Sequence, residues 1–174
     1  FTTRAGVVAD PAGKDGTAHL AVQNVDLGTA KRSALEIEAA LGDLGTVLTG
    51  GAFREGANLQ IEVLSRNVDA ALGIVSEVIR TPSFPQAEFD REKQNLLANL
   101  QQQNNNPNAV GARVRGLLAF GREHPYGRPS QGFPSTVESI TREDVARHWQ
   151  ERVKPGSSVL VFVGGLTLDE ATQL

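Results

Sequence analysis

Apolar residues recur along the chain with two periods. Ala34, Ile37, Leu41 and Leu44 share one face of a 3.6-residue repeat, and Gly45 is placed to stop that helix. Val68, Leu72, Val75 and Ile79 repeat the pattern until Thr81-Pro82 ends it. A longer helix is expected from Gln86, with Phe89, Leu96 and Leu100 inward. It runs into the amide stretch Gln101 to Asn106 before Pro107, which reads as a solvated helix end and turn rather than a binding tract. Further helices are expected over about Gly16 to Val25 and Ala109 to Phe120. Thr141 and Asp144 form a capping box, Ile140 and Val145 fit the hydrophobic staple, and Val145, Trp149 and Val153 share a face that places Trp149 in the core. The two-residue period is clearest at Leu59, Ile61 and Val63, which alternate with Gln60 and Glu62 as in a half-buried strand. Arg4 to Ala9 predicts a strand, and Val47 to Thr49 starts another. Gly50-Gly51 and Gly56 are expected to bracket a turn. Val159 to Val163 is a continuous apolar run of the kind found in central strands. Strand, helices, hairpin, helices, strand predicts an α+β fold with a layer of helices on a sheet.

Composition narrows the classes. The 174 residues suit one domain with a real core. The longest apolar run is far too short to span a bilayer. A net charge of −3 with scattered Lys and Arg offers no stripe for nucleic acid. With no cysteine there is no disulfide, thiol nucleophile or Cys-ligated metal. The chain starts at Phe1, lacks Met and ends on a helix just opening at Thr167, with Glu170 at the capping-box position. The expectation is a piece excised from a longer protein.

The chemistry of interest is a metal motif with its parts exchanged. A His-x-x-Glu-His zinc site needs two histidines four apart on one helical face, a Glu between them as general base, and a third ligand from another helix. Here His19 stands at the first position, Val22 at the base and Gln23 at the second histidine. Asn99 follows seventy-six positions after Gln23, where a ligand Glu would sit. Amides are poor zinc donors, and catalytic zinc takes three protein ligands from His, Glu, Asp or Cys. Val22 cannot take a proton from water. His19 therefore reads as an ordinary helix residue, and no metal ligand or catalytic residue is expected here. Gly50-Gly51 and Gly164-Gly165 lack phosphate-loop spacing. Ser33, Ser65 and Ser76 lack a Gly-x-Ser-x-Gly setting, and Glu36, Glu38, Glu88 and Glu92 read as solvated helical faces. His124-Pro125-Tyr126-Gly127 reads as an ordered connection.

The ordered set of motifs resembles the inverzincin metallopeptidases, the family of insulinase, pitrilysin and mitochondrial processing peptidase. The resemblance rests on Gly16-Thr17-Ala18-His19, Gly28-Thr29, Arg32-Ser33, Leu44-Gly45, Asn67 to Leu72, Pro82-Ser83-Phe84, Phe89 to Lys93, His124 to Gly127, Gly132, Ile140 to Asp144 and Val161 to Gly164. It covers residues 5–174. It implies a mixed, largely antiparallel sheet covered mainly on one face by helices, as a single processing-peptidase-like domain over 1–174. It also implies that His19, Gln23 and Asn99 are vestigial ligand positions and Val22 a vestigial base position. The function implied is that of a non-catalytic domain of a zinc metallopeptidase. Such a domain forms part of a peptide-binding chamber and pairs with another domain or subunit that carries the zinc. Unfolded peptide would be the substrate of the whole, with no cofactor in this domain, and the bacterial periplasm is the favoured compartment. The alternative is a structural or assembly subunit of the same fold without peptidase activity; some other enzyme on this scaffold ranks last, since no alternative catalytic set is present.

Overall fold

The computed structural model describes residues 1–173. Among them are four short strands, β1 (Thr2–Thr3), β2 (Thr49–Ala52), β3 (Ala57–Gln60) and β4 (Ser158–Val159). They form one antiparallel sheet in the order β2-β3-β1-β4, with Thr2 opposite both Asn58 and Val159 and Gly51 opposite Asn58. The helices are α1 (Thr17–Asn24), α2 (Ala34–Asp43), α3 (Val68–Arg80), α4 (Gln86–Gln103), α5 (Pro107–Phe120), α6 (Pro134–Ser139), α7 (Arg142–Arg152) and α8 (Leu168–Gln173). The fold is α+β, as expected. No helix among the described residues is long and apolar enough to cross a membrane.

The helices start and stop for local reasons. Ser33 and Glu36 close a capping box on α2, and Thr141 and Asp144 close one on α7. Asn106 accepts from the backbone of Asn108 and Ala109, and Pro107 occupies the first turn of α5. The core gathers Leu20, Ala21 and Val25 of α1, Ile37 and Leu41 of α2, Leu59 of β3, Val78 of α3, Phe89 of α4 and Trp149 of α7. The Trp149 indole N–H donates to the Ile79 carbonyl at 2.9 Å, so this buried ring leaves no donor unpaired.

Four expectations change. The strand expected over Leu59, Ile61 and Val63 stops pairing at Gln60. Pairing of the first segment stops at Thr3. Val7 to Ala9 coil into a 3₁₀ turn, where the Val7 and Val8 N–H groups reach the Phe53 and Arg54 carbonyls. Gly50 and Gly51 lie inside β2, and the turn falls at Phe53 to Gly56. Val159 to Val163 is not a central strand: only Ser158 and Val159 pair, at the sheet edge, and Val161 and Val163 are exposed. Helix α6 was not foreseen, because six residues are too few to show a 3.6-residue period. It is held from outside. Lys93 donates to the carbonyls of Glu138 and Ile140 at 2.8 Å each, and Lys14 reaches Ser139 and the Asp144 carboxylate. Both cations sit where a helix C-terminus favours positive charge.

Candidate functional site

Helix α1 carries three of the four positions singled out from the sequence, and its start is unusual. Gly16, its N-cap, has φ +105° and offers no side chain. The orphan N–H groups are served from six residues upstream. Asp10 accepts from Gly16 N at 2.8 Å and from Ala18 N at 2.7 Å. Asp10 is buried, and that burial pushes its pKa up to about 7 against the pull of those two N–H groups. Next to it Asp15 pairs with Arg128 at 2.9 Å, and the Thr136 hydroxyl donates to the Asp15 carbonyl. The start of α1 is thus fixed to the loop ahead of α6.

Val22 is 4 % exposed and packs on the sheet. A Cβ on Gly50 would stand 2.9 Å from Val22 Cγ1 and 2.7 Å from Leu59 Cδ2, so β2 and α1 touch at Val22. His19 is half-buried, and burial lowers its pKa, which keeps the imidazole neutral near pH 7. Gln23 and Asn99 are exposed.

Helix α4 packs against α1, and two contacts fix its direction. At one end Asp26, just past α1, feels the carboxylate of Glu92; burial first and that like charge second raise the Asp26 pKa. At the other end Gln103 donates to Asn99 Oδ1 at 2.6 Å and to Gln131 Oε1 at 2.8 Å. The Gln131 carbonyl abuts Gly16, at 2.9 Å from where its Cβ would be. The C-terminal end of α4 therefore lies by the N-terminal end of α1, and the pair is antiparallel. Asn99 sits one turn before Gln103 and His19 one turn after Gly16, so they face similar levels of the pair. Among the described residues no hydrogen bond joins His19, Gln23 and Asn99, and no group of three or more His, Cys, Asp or Glu could hold a metal ion.

The donor set does not fit zinc. His19 is one good ligand, whereas Gln23 and Asn99 present neutral amides. The other histidines are engaged elsewhere: His124 Nδ1 accepts from Tyr126 N at 3.1 Å, and His148 is buried in α7 beside the Ala5 carbonyl. Sequence reading missed Asp10 and the Gln103–Gln131 link. For Asp10 a signal was present: a helix opening on glycine, with no Ser, Thr, Asp or Asn at its N-cap, needs an acceptor from elsewhere.

Residues 2–129 match the model of the insulinase family, peptidase family M16, and the chain belongs to that family. It is 27% identical over 160 residues to the mitochondrial-processing peptidase beta subunit of Bos taurus, covering 92% of this chain and 32% of that protein. To an uncharacterized zinc protease of Rickettsia felis it is 23% identical over 168 residues, 97% of this chain and 40% of that one. The crystal structure of a peptidase M16 inactive domain from Pseudomonas fluorescens superposes with a TM-score of 0.78 at 25% identity, over 84% of this chain and 36% of that one. The chain thus spans roughly a third to two fifths of the length of these relatives.

Proposed function

We propose that this chain is a non-catalytic domain of an M16 zinc peptidase. It forms part of the wall of a peptide-binding chamber and pairs with a catalytic half that carries the zinc. What carries this reading is the exchange of the general base and of two of the three ligands, with only His19 kept. Gln23 and Asn99 stand at two ligand positions, and Val22 fills the base position with a methyl group packed on Gly50. The likeness to an M16 inactive domain supports it. The outer edge of β2 suits peptide contact, because β2 ends the sheet and lies directly against α1. An extended segment gains main-chain hydrogen bonds by adding there as a further strand.

The test is metal content and hydrolysis. After equilibration with excess zinc and removal of free metal, the chain is expected to retain no stoichiometric zinc and to cleave no casein-derived peptide. One tightly bound zinc per chain, lost on His19→Ala, overturns the reading; so does chelator-sensitive cleavage. The runner-up, an assembly subunit of the same fold, draws on the exposed apolar stretch of Val159, Leu160, Val161 and Val163 as a contact for another protein. It predicts no binding of unfolded peptide.

A further inference from the structure

The edge of the sheet away from β2 is open. β4 is the outer strand there, and it pairs with β1 only at Ser158 and Val159. The chain then runs on through Leu160, Val161, Phe162 and Val163 without a turn or bend. Among the described residues no backbone hydrogen bond involves Leu160 to Leu166. Val159, Leu160, Val161 and Val163 are exposed, Val163 at 96 %. We propose that this edge pairs with the same edge of a second copy of the chain, antiparallel across a two-fold axis at Val161.

An open strand edge presents a row of unpaired N–H and C=O groups. Proteins that stay single blunt such edges with charged side chains, proline, a bulge or a covering element. This run has no charge and no proline anywhere from Gly156 to Leu168, and its side chains stand in solvent.

The chemistry of the run selects its partner. A two-fold axis at Val161 sets Val161 against itself, Val159 against Val163, and Leu160 against Phe162. Every cross-strand pair is then apolar, on both faces of the ribbon. A strand with alternating polar residues would instead set a polar row against either the valines or Leu160 and Phe162, without partners for it. Because the run is uncharged, two identical copies meet without repulsion. The pairing uses up both open edges, so assembly closes at two. It lies at the far side of the sheet from β2, and it is independent of the peptide contact proposed above.

The experiment uses the 174-residue chain. Sedimentation equilibrium over about 1 to 100 µM is expected to show monomer and dimer in exchange, as suits a contact smaller than a standard interface. Val161→Lys sets two ammonium groups against each other and is expected to weaken the dimer by about tenfold or more. Position 161 is already 62 % exposed, so the variant is expected to melt as the wild-type monomer does. The chain has no cysteine, so a single introduced thiol reports the register. Opposite residues of an antiparallel pair lie about 4.5–5.5 Å apart at Cα, within disulfide reach. Val161→Cys is therefore expected to cross-link on mild oxidation. Val159→Cys is not, because the two copies of that residue stand about four positions apart along the pair, roughly 13 Å. A monomer at every concentration overturns the proposal and leaves the edge to a different protein. A dimer that Val161→Lys leaves intact also overturns it, since the contact then lies elsewhere. Equal cross-linking of the two cysteine variants overturns the two-fold at Val161, and assembly beyond two overturns the closed pair. None of these outcomes touches the chamber reading.

Discussion

Asp10 caps a helix to which it does not belong, and it does so from a buried position. Its pKa is raised from 3.8 to about 7, chiefly by burial. An acid with a raised folded pKa binds its proton more tightly when folded. Its contribution to stability is therefore fully present below about pH 4 and is lost as the pH rises through 7. His19 and His148 act in the opposite sense. Burial lowers both pKa values, so their contribution is present above pH 6.5 and lost as pH falls through the lowered values. The wild-type profile mixes the two slopes, and the difference between wild type and Asp10→Asn isolates one. Relative to that variant, the wild type is expected to lose thermal stability steadily from pH 4 to pH 7. Parallel melting curves for the two proteins across that range would show that the carboxyl stays ionised, held by Gly16 N and Ala18 N.

Among the elements, α7 shows most directly what a cap contributes. Thr141 Oγ1 accepts from Asp144 N, and the Asp144 carboxylate accepts from Thr141 N and from Lys14 Nζ at 2.7 Å. Thr141→Ala is expected to cost about 1 kcal/mol in chemical denaturation. Lys14→Met is expected to leave the cap intact and to remove one of the two cations at the end of α6, with Lys93 still in place. A Thr141→Ala variant as stable as wild type would mean that Lys14 and Lys93 hold the α6–α7 junction without the cap. This cap was legible in the sequence because its whole chemistry lies within four consecutive residues. So were α2, α3 and α4, where the apolar period repeats over several turns. The sheet was not legible in the same way. Its strands are two to four residues long, and what makes Gly50-Gly51 a strand is pairing with Leu59 and Asn58 of β3, under an α1 so close that Gly50 has no room for a side chain. Val159 to Val163 has the composition of a central strand, but pairing partners and not composition decide where a strand sits. At the site, His19, Val22, Gln23 and Asn99 could be picked out by spacing. The levels that α1 and α4 share could not, since they depend on Gln131 and Gly16 meeting.

For the molecule as a whole, the antiparallel pair of α1 and α4 predicts where a zinc site could be built. Gln23 and Asn99 are exposed, so larger or charged side chains have room there at little cost in stability. His19 is already neutral. The double variant Gln23→His, Asn99→Glu is expected to bind zinc measurably by calorimetry while Val22 is left in place, and to cleave nothing, because no base is restored. Second-shell partners are absent by design, so the affinity is expected to fall well short of a natural zinc enzyme. If the double variant binds no more zinc than wild type, Asn99 lies too far from the α1 face for a shared ion, and the levels inferred from Gln103 and Asp26 are wrong.

The contact between Val22 and Gly50 has a historical consequence. A single codon change could return a carboxylate to position 22, but that group would arrive where a methyl now packs against the sheet, with no partner for its charge. Gln23 and Asn99 face water and tolerate change one at a time. Val22 is locked by its neighbours. On the function proposed above, a return to hydrolysis would need α1 and β2 to change together, because Val22→Glu alone gives only a less stable protein.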